Sequence, residues 1–328
     1  MGSYIARRFL FMLLLLAMLT VAVFVIIQLP PGDFLTHYVT RLEAQGVFYD
    51  QEQTEQLRRI YGLDLPMYRQ YLRWLGRIAS GDLGMSLQWR QPVSRLLADR
   101  LPYAVIIAVV TLLFTYAVAI PIGVYSATHQ YSLTDYAVTT LGFVGLATPN
   151  FLLALILMFL ANRYLGFSIG GLFSIEYIDQ PWSAAKLLDM LGHLPVPIVV
   201  IGTAGTAQLI RVLRSSLLDE LSRQYVITAR AKGLTESRLL FRYPVRVALN
   251  PVISTVGWVL PEIFSGQVIT AIVLSLPTIG PLLLAALVAQ DMFLAGSLVM
   301  VTALLTLLGT FLSDILLVAV DPRIRMAG

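Results

Sequence analysis

Cysteine is absent from this sequence of 328 residues, which excludes disulfide frameworks, thiolate metal sites and cysteine nucleophiles and leaves the redox compartment unread. Histidine is scarce: His37, His129 and His193 stand too far apart to form a cluster, so no metal site is expected and each reads as structural. Lysine occurs only at Lys186 and Lys232 among 23 basic residues. Neither follows glycine in the glycine-lysine-serine/threonine context of a phosphate-cradling loop, so any ATP hydrolysis of that kind belongs to another polypeptide. Charge is sparse as well. Charged residues make up 13% of the chain, against about a quarter in soluble proteins, while 57% of residues are hydrophobic and mean hydropathy is +0.77. That composition excludes a water-soluble globule. No nucleophile elbow, His-Glu-x-x-His pair or close acidic dyad lies among the apolar stretches, which argues against an intramembrane enzyme.

What is present is long apolar runs. A helix crossing a bilayer takes about 20 mostly apolar residues, because backbone amides in hydrocarbon must be satisfied within the segment. Charge-free runs predict six spans, near residues 9–29, 102–126, 136–162, 192–212, 247–275 and 293–319. The first follows Arg7 and Arg8, as a signal peptide would. It is longer than the usual apolar core of about 7 to 15 residues and lacks a small-x-small cleavage site, so it reads as an uncleaved anchor.

Orientation follows from arginine placement. With both termini cytoplasmic, Arg7, Arg8, Arg211, Arg214, Arg223, Arg230, Lys232, Arg238, Arg242, Arg246, Arg323 and Arg325 fall inside, and the short outer loops hold only Arg163 and Lys186. Positive-inside bias thus accounts for the net charge of +4, with no nucleic-acid footprint left to explain. The chain divides into an anchor helix (1–29), an extracytoplasmic helical segment (30–101), a core of five spans (102–319) containing a cytoplasmic loop (213–246), and a tail (320–328).

In the outer segment, residues 51–61 read as a polar helix. Residues 66–79 read as an amphipathic one, with proline at its first position and Tyr68, Tyr71, Leu72, Leu75 and Ile78 on one face. It is a cap packed on its own stripe, a docking surface for a solute-delivery partner, or a membrane-surface helix bearing Trp74 and Trp89. In the cytoplasmic loop, Gln224 to Lys232 predicts a short helix with small Ala229 and Ala231, ended by Gly233 in the left-handed C′ position. Thr235 is placed to cap the next turn, which Pro244 ends. Two short helices joined through glycine suit a knob for a groove on a cytoplasmic partner; the plain alternative is an ordinary basic loop.

At this point the sequence resembles a known family. Tyr225, Val226, Ile227, Thr228, Ala229, Arg230, Ala231, Lys232, Gly233 and Leu234 are similar to the coupling-loop signature of binding-protein-dependent ABC importer permeases, in the dipeptide, oligopeptide and nickel branch. The likeness runs in order through Pro31-Gly32-Asp33, Tyr61-Gly62-Leu63-Asp64, Arg73-Trp74-Leu75, Gly81-Asp82-Leu83-Gly84, Arg100-Leu101-Pro102, Ile120-Pro121-Ile122-Gly123, Arg214-Ser215-Ser216, Ser275-Leu276-Pro277 and Asp321-Pro322-Arg323.

The resemblance implies an all-α polytopic fold of the type I ABC importer permease kind, with six transmembrane helices and a helical extracytoplasmic insertion after the first. It also implies a non-catalytic subunit of the bacterial inner membrane that forms half of a translocation pathway. Its expected partners are a second, distinct permease subunit, an extracytoplasmic solute-binding protein, and two cytoplasmic ATPase subunits that bind ATP and magnesium; this chain itself carries no cofactor. Tyr225 to Gly233 would sit in a cleft of one ATPase. Two departures stand out: Val268-Ile269-Thr270-Ala271 lacks an acid usual there, and Pro261-Glu262 replaces small glycines. Glu262, near mid-span, is a candidate for the solute path or for an ion pair, because an intramembrane carboxylate is expensive to bury. Gln208, Asn150 and Gln267 are lesser lining candidates, since isolated amides also serve as interhelical hydrogen bonds. Asp314 reads as interfacial or interhelical. Di- or oligopeptides are the expected cargo. Oligosaccharides, opines, nickel chelates or another small solute on the same machinery are the alternative, and a proton-coupled secondary transporter relaying through Glu262 and Asp314 is a third reading.

Overall fold

The computed structural model describes residues 2–28, 64–86, 88–165, 170–257, 268–289 and 291–320, with Val259, Ile263 and isolated residues between 35 and 59. Helix α1 (Gly2–Gln28) is the apolar anchor, and most of its side chains face outward. Helix α2 (Met67–Ala79) follows Pro66, which occupies the N-cap with ψ 145° and is not the first helical residue. The Tyr71 hydroxyl hydrogen-bonds Thr20 of α1 at 2.7 Å, and Tyr71 and Trp74 pack on Phe24 with ring centroids 5.5 and 5.7 Å away. Of the predicted apolar face, Tyr71, Leu75 and Ile78 are half-buried while Tyr68 and Leu72 remain exposed. The predicted helix at 51–61 lies mostly outside the described residues.

A short antiparallel hairpin, β1 (Met85–Ser86) with β2 (Gln91–Pro92), was not foreseen. It is fastened by buried Asp291, whose carboxylate accepts from Ser86 Oγ at 2.6 Å and from the Gln88 and Leu294 amides at 3.2 Å each. Helix α3 (Val93–Thr128) then runs through Pro102 and Pro121. It starts before the predicted boundary at 102 because Val93, Leu96 and Leu97 continue its apolar face onto Ile279, Leu294 and Leu298. A helix does not stop where its lipid-facing residues stop.

The third predicted span is not one helix. Helix α4 (Leu133–Ala147) and helix α5 (Asn150–Leu160, continued by a π turn over Ala161–Leu165) meet at a bend of 104°. Thr148 is extended there (φ −89°, ψ 119°), as expected for a residue pushed out of the helical region by the ring of Pro149. Helix α6 (Ala184–His193) leads into α7 (Pro195–Leu221), which continues past the predicted end at 212. Beside α6, buried Lys186 donates to the Ile178 and Gln180 carbonyls at 3.1 and 2.6 Å and lies 4.9 Å from the Phe173 ring centroid.

There follow α8 (Gln224–Ala231), α9 (Glu236–Arg242), α10 (Pro244–Ser254), α11 (Val268–Val273), α12 (Ile279–Val288) and α13 (Met292–Val320). The predicted fifth span maps onto α10 and α11, with the residues between them described only in part. Among the described residues, four helices are long and apolar enough to cross a membrane, or five with the bent pair.

Helix α7 is the central element. A Cβ at Gly202 would lie 3.2 Å from Phe114 and Thr115 of α3, and one at Gly123 of α3 would lie 3.1 Å from Leu213. On α4, a Cβ at Gly145 would meet the Thr203 methyl at 2.9 Å. Missing side chains thus leave notches in which side chains of the neighbouring helix seat, drawing three helices close, the usual device where lipid removes the hydrophobic drive for association. The bundle has two distinct ends. One carries the hairpin and α6. The other gathers Arg8, Arg214, Arg223, Arg230, Lys232, Arg238, Arg242 and Arg246, with Arg8 of α1 paired to Asp314 of α13 at 3.3 Å.

Candidate coupling loop and solute path

At the arginine-rich end α7 leaves the bundle as an unbroken helix, and after Ser222 and Arg223 the chain turns into α8. Lys232 is the C-cap of α8, and Gly233 follows with φ +78°. The Gly233 amide donates to the Arg230 carbonyl at 3.0 Å and the Leu234 amide to that of Ala229 at 3.5 Å. This is the Schellman pattern, completed by Leu234 folding onto buried Val226, Ala229 and Leu239. That small cluster locks α8 to α9 independently of the main core.

Outside it, Arg230 and Glu236 form a two-pronged ion pair at 2.5 and 3.0 Å. The Arg230 hydrogen bond holds the Glu236 carboxyl below its ordinary value. Tyr225 donates to Glu220 at 2.5 Å; partial burial and that acceptor push its hydroxyl well above the usual phenol range, so it remains a donor. Thr235 occupies the N-cap of α9, but its side chain makes no capping hydrogen bond; the Leu239 amide reaches its carbonyl instead. Pro244 opens α10, while α9 already ends at Arg242. The outward faces carry Tyr225, Ile227, Thr228, Ala231 and Lys232. The loop is therefore a rigid, self-packed projection with apolar and basic groups outward.

Within the bundle, a cleft between α3, α5 and α7 is lined by Thr111, Thr115, Asn150, Ala204 and Gly205, with Val259 and Ile263 closing one side. The Thr111 hydroxyl is buried without a hydrogen-bond partner among the described residues.

Residues 119–326 match the family described as binding-protein-dependent transport system inner membrane component. This chain belongs to that family. Over 327 residues it is 36% identical to the oligopeptide transport system permease protein AppB of Bacillus subtilis, covering 99% of this chain and 100% of that one. It is 33% identical over 338 residues to the di/tripeptide transport system permease protein DppB of Pseudomonas aeruginosa, with 99% of each covered. The dipeptide transport system permease protein DppB of Escherichia coli K12 is 29% identical over 323 residues, with 94% of each covered. As a family member, the chain is a multi-pass component of the inner membrane.

In this inner membrane component, Tyr225 to Leu234 form one continuous unit. Of the predicted path residues, Asn150 and Gln208 are described, and they do not share one lining. Asn150 stands in the cleft beside Thr111 and Thr115. Gln208 lies one turn beyond Gly205 on α7, outside that lining, and accepts from Arg211 at 2.5 Å. Glu262 and Gln267 lie outside the described residues.

One cluster at the arginine-rich end escaped the sequence reading. Arg214 of α7 makes a two-pronged pair with Asp135 of α4, at 2.9 and 3.0 Å, and reaches Ser126 of α3 at 3.1 Å. Arg214-Ser215-Ser216 was visible as a motif, and Asp135 was the acid opening a predicted span. A carboxylate so placed needs a partner, and that rule was the signal available.

Proposed function

We propose that this chain is one permease subunit of an ATP-driven, binding-protein-dependent importer of di- and oligopeptides. The observation that carries the reading is the rigid α8–Gly233–α9 projection, mounted directly on α7 and self-packed through Val226, Ala229, Leu234 and Leu239. A preformed knob with an exposed apolar and basic face suits insertion into a cleft on an ATPase. Mounted on a continuous helix, it passes rigid-body movement into the bundle.

In this reading two cytoplasmic ATPases bind ATP and magnesium, and this chain hydrolyses nothing. A second permease completes the pathway, and an extracytoplasmic solute-binding protein delivers cargo to the hairpin end. The arginine-rich end, with both termini, faces the cytoplasm. Residues 30–101 form the outer segment, 102–319 the core with the 213–246 loop, and 320–328 the tail. The names of the relatives support peptides over oligosaccharides. Thr111, Thr115 and Asn150 offer hydrogen bonds to peptide amides, and Gln208, Glu262 and Gln267 extend the set of candidate lining groups.

The test is reconstitution. In proteoliposomes the chain alone is expected to be inert, whereas the complex with its second permease, ATPases and binding protein accumulates trialanine at the expense of ATP. Vectorial uptake by the lone chain would overturn the reading, and accumulation of an oligosaccharide in preference to trialanine would overturn the cargo assignment.

A further inference from the structure

We propose that Asp135, Arg214 and Ser126 are positioning residues for the transport stroke, a node through which displacement of the coupling loop reaches the rest of the bundle; this rests on the coupling-loop reading above. The geometry starts at α7. It runs without interruption to Leu221 and then, through Ser222 and Arg223, into α8, so movement of α8 enters the core along this helix, beside a second route through α9 into α10. Arg214 lies about 10 Å before that exit, at 1.5 Å of rise per residue. There its Nη2 donates to Asp135 Oδ2 at 2.9 Å, and its Nε to Asp135 Oδ1 at 3.0 Å and Ser126 Oγ at 3.1 Å. The same carboxylate accepts from the Ser126 hydroxyl and, at 3.0 Å, from the backbone amide of Tyr131 in the turn joining α3 to α4. Asp135 and Ser126 are only 3% and 1% exposed. One buried carboxylate therefore ties together α7, the end of α3, the start of α4 and the turn between them.

An ion pair whose carboxylate is buried, here with a half-buried Arg214, is a poor device for stability, because apolar groups of the same volume often do as well. What the fork supplies is direction. Along the same seam α3 meets α7 through Gly123 against Leu213 and, about 18 Å from Arg214, through Gly202 against Phe114, apolar contacts that carry no hydrogen bond to the α3–α4 turn. A two-pronged guanidinium–carboxylate pair fixes both distance and rotation. With it, the α3–α4 turn and the start of α4 move with α7; without it, apolar contact alone holds them to α7 and part of the stroke is lost there.

The experiment uses the complete reconstituted importer with Asp135→Asn, Arg214→Lys and Ser126→Ala, each normalised to assembled complex. Trialanine is the cargo, and ATP hydrolysed per peptide accumulated is the first readout. A merely structural role lowers hydrolysis and uptake together and leaves the ratio unchanged. The node predicts near-normal hydrolysis and a ratio raised roughly fivefold or more for Asp135→Asn, on the scale of coupling between linked sites, with smaller rises for the other two.

The second readout needs no cargo. The chain has no cysteine, so Leu133→Cys on α4 and Asp219→Cys on the exposed end of α7 can carry spin labels, and their separation is compared without nucleotide and with ATP and vanadate. It should stay constant with the native node and change with Asp135→Asn. An unaltered ratio in all three variants, or the same separations with and without the node, overturns the proposal. If Asp135→Asn does not assemble, the other two variants decide. Gly233→Val run in parallel separates the two ideas: if it leaves uptake coupled, the coupling-loop reading falls, and if it uncouples while Asp135→Asn does not, only the node falls.

Discussion

Gly233 gives the sharpest test of the coupling loop, because its demand on the chain is purely conformational. Its φ is +78°, and a Cβ built there would meet no atom within 4 Å. Any penalty therefore comes from the backbone. For an L-residue the left-handed region costs about 1–2 kcal/mol, less for asparagine and more for a β-branched side chain. At stake are the Gly233 and Leu234 amide hydrogen bonds and the seating of Leu234 on Val226 and Leu239. Since about 1.4 kcal/mol is tenfold in an equilibrium constant, Gly233→Ala should lower the ratio of locked to unlocked loop roughly tenfold. Asparagine should do less and valine more. The assay is ATP-driven trialanine uptake with hydrolysis measured alongside. Gly81 is the internal control: its φ is +81°, it too has open space around it, and it lies at the hairpin end. Gly81→Ala carries the same local cost and should leave hydrolysis coupled to uptake. Wild-type uptake in Gly233→Val, or equal uncoupling by the two alanine variants, would refute the reasoning.

Three further outcomes are expected. Gly145→Ala places a methyl 2.9 Å from the Thr203 methyl and should cost about 1–3 kcal/mol by overpacking α4 against α7; adding Thr203→Ser removes that methyl, so thermal unfolding in detergent should show recovery. Lys186→Met leaves the Ile178 and Gln180 carbonyls without their donor and should cost about 1–3 kcal/mol, read as faster amide exchange across residues 172–193. Glu236 has a folded-state pKa depressed below 4.5 by Arg230, so its contribution is present above that value and lost as pH falls through the lower folded one. Amide protection in α8 and α9 should decline over that acid window. Glu236→Gln should abolish the pH dependence, and salt should weaken it because the pair is exposed.

Much of this molecule was legible because the deciding forces are local. The anchor α1 follows from an unbroken apolar run, and Gly233 follows from the steric cost of a left-handed residue at a helix end. The break at Thr148-Pro149 was equally local and equally present in the sequence, but an apolar run from 136 to 162 masked it: hydropathy reports solvent, and proline geometry reports direction. The early start of α3 was illegible by hydropathy, since Val93, Leu96 and Leu97 bury against protein and not lipid.

By itself, then, the sequence determined that the chain is built of long apolar helices, which end collects the arginines, and that a glycine-terminated helix projects there, because desolvation and backbone sterics act residue by residue. Only the tertiary structure decided that Asn150 shares a cleft with Thr111 and Thr115, that Gln208 does not, and that among all the arginines it is Arg214 that clasps Asp135, 79 residues away. Such pairings depend on how α3, α4 and α7 pack against one another, and a charge finds its partner only after the helices have met.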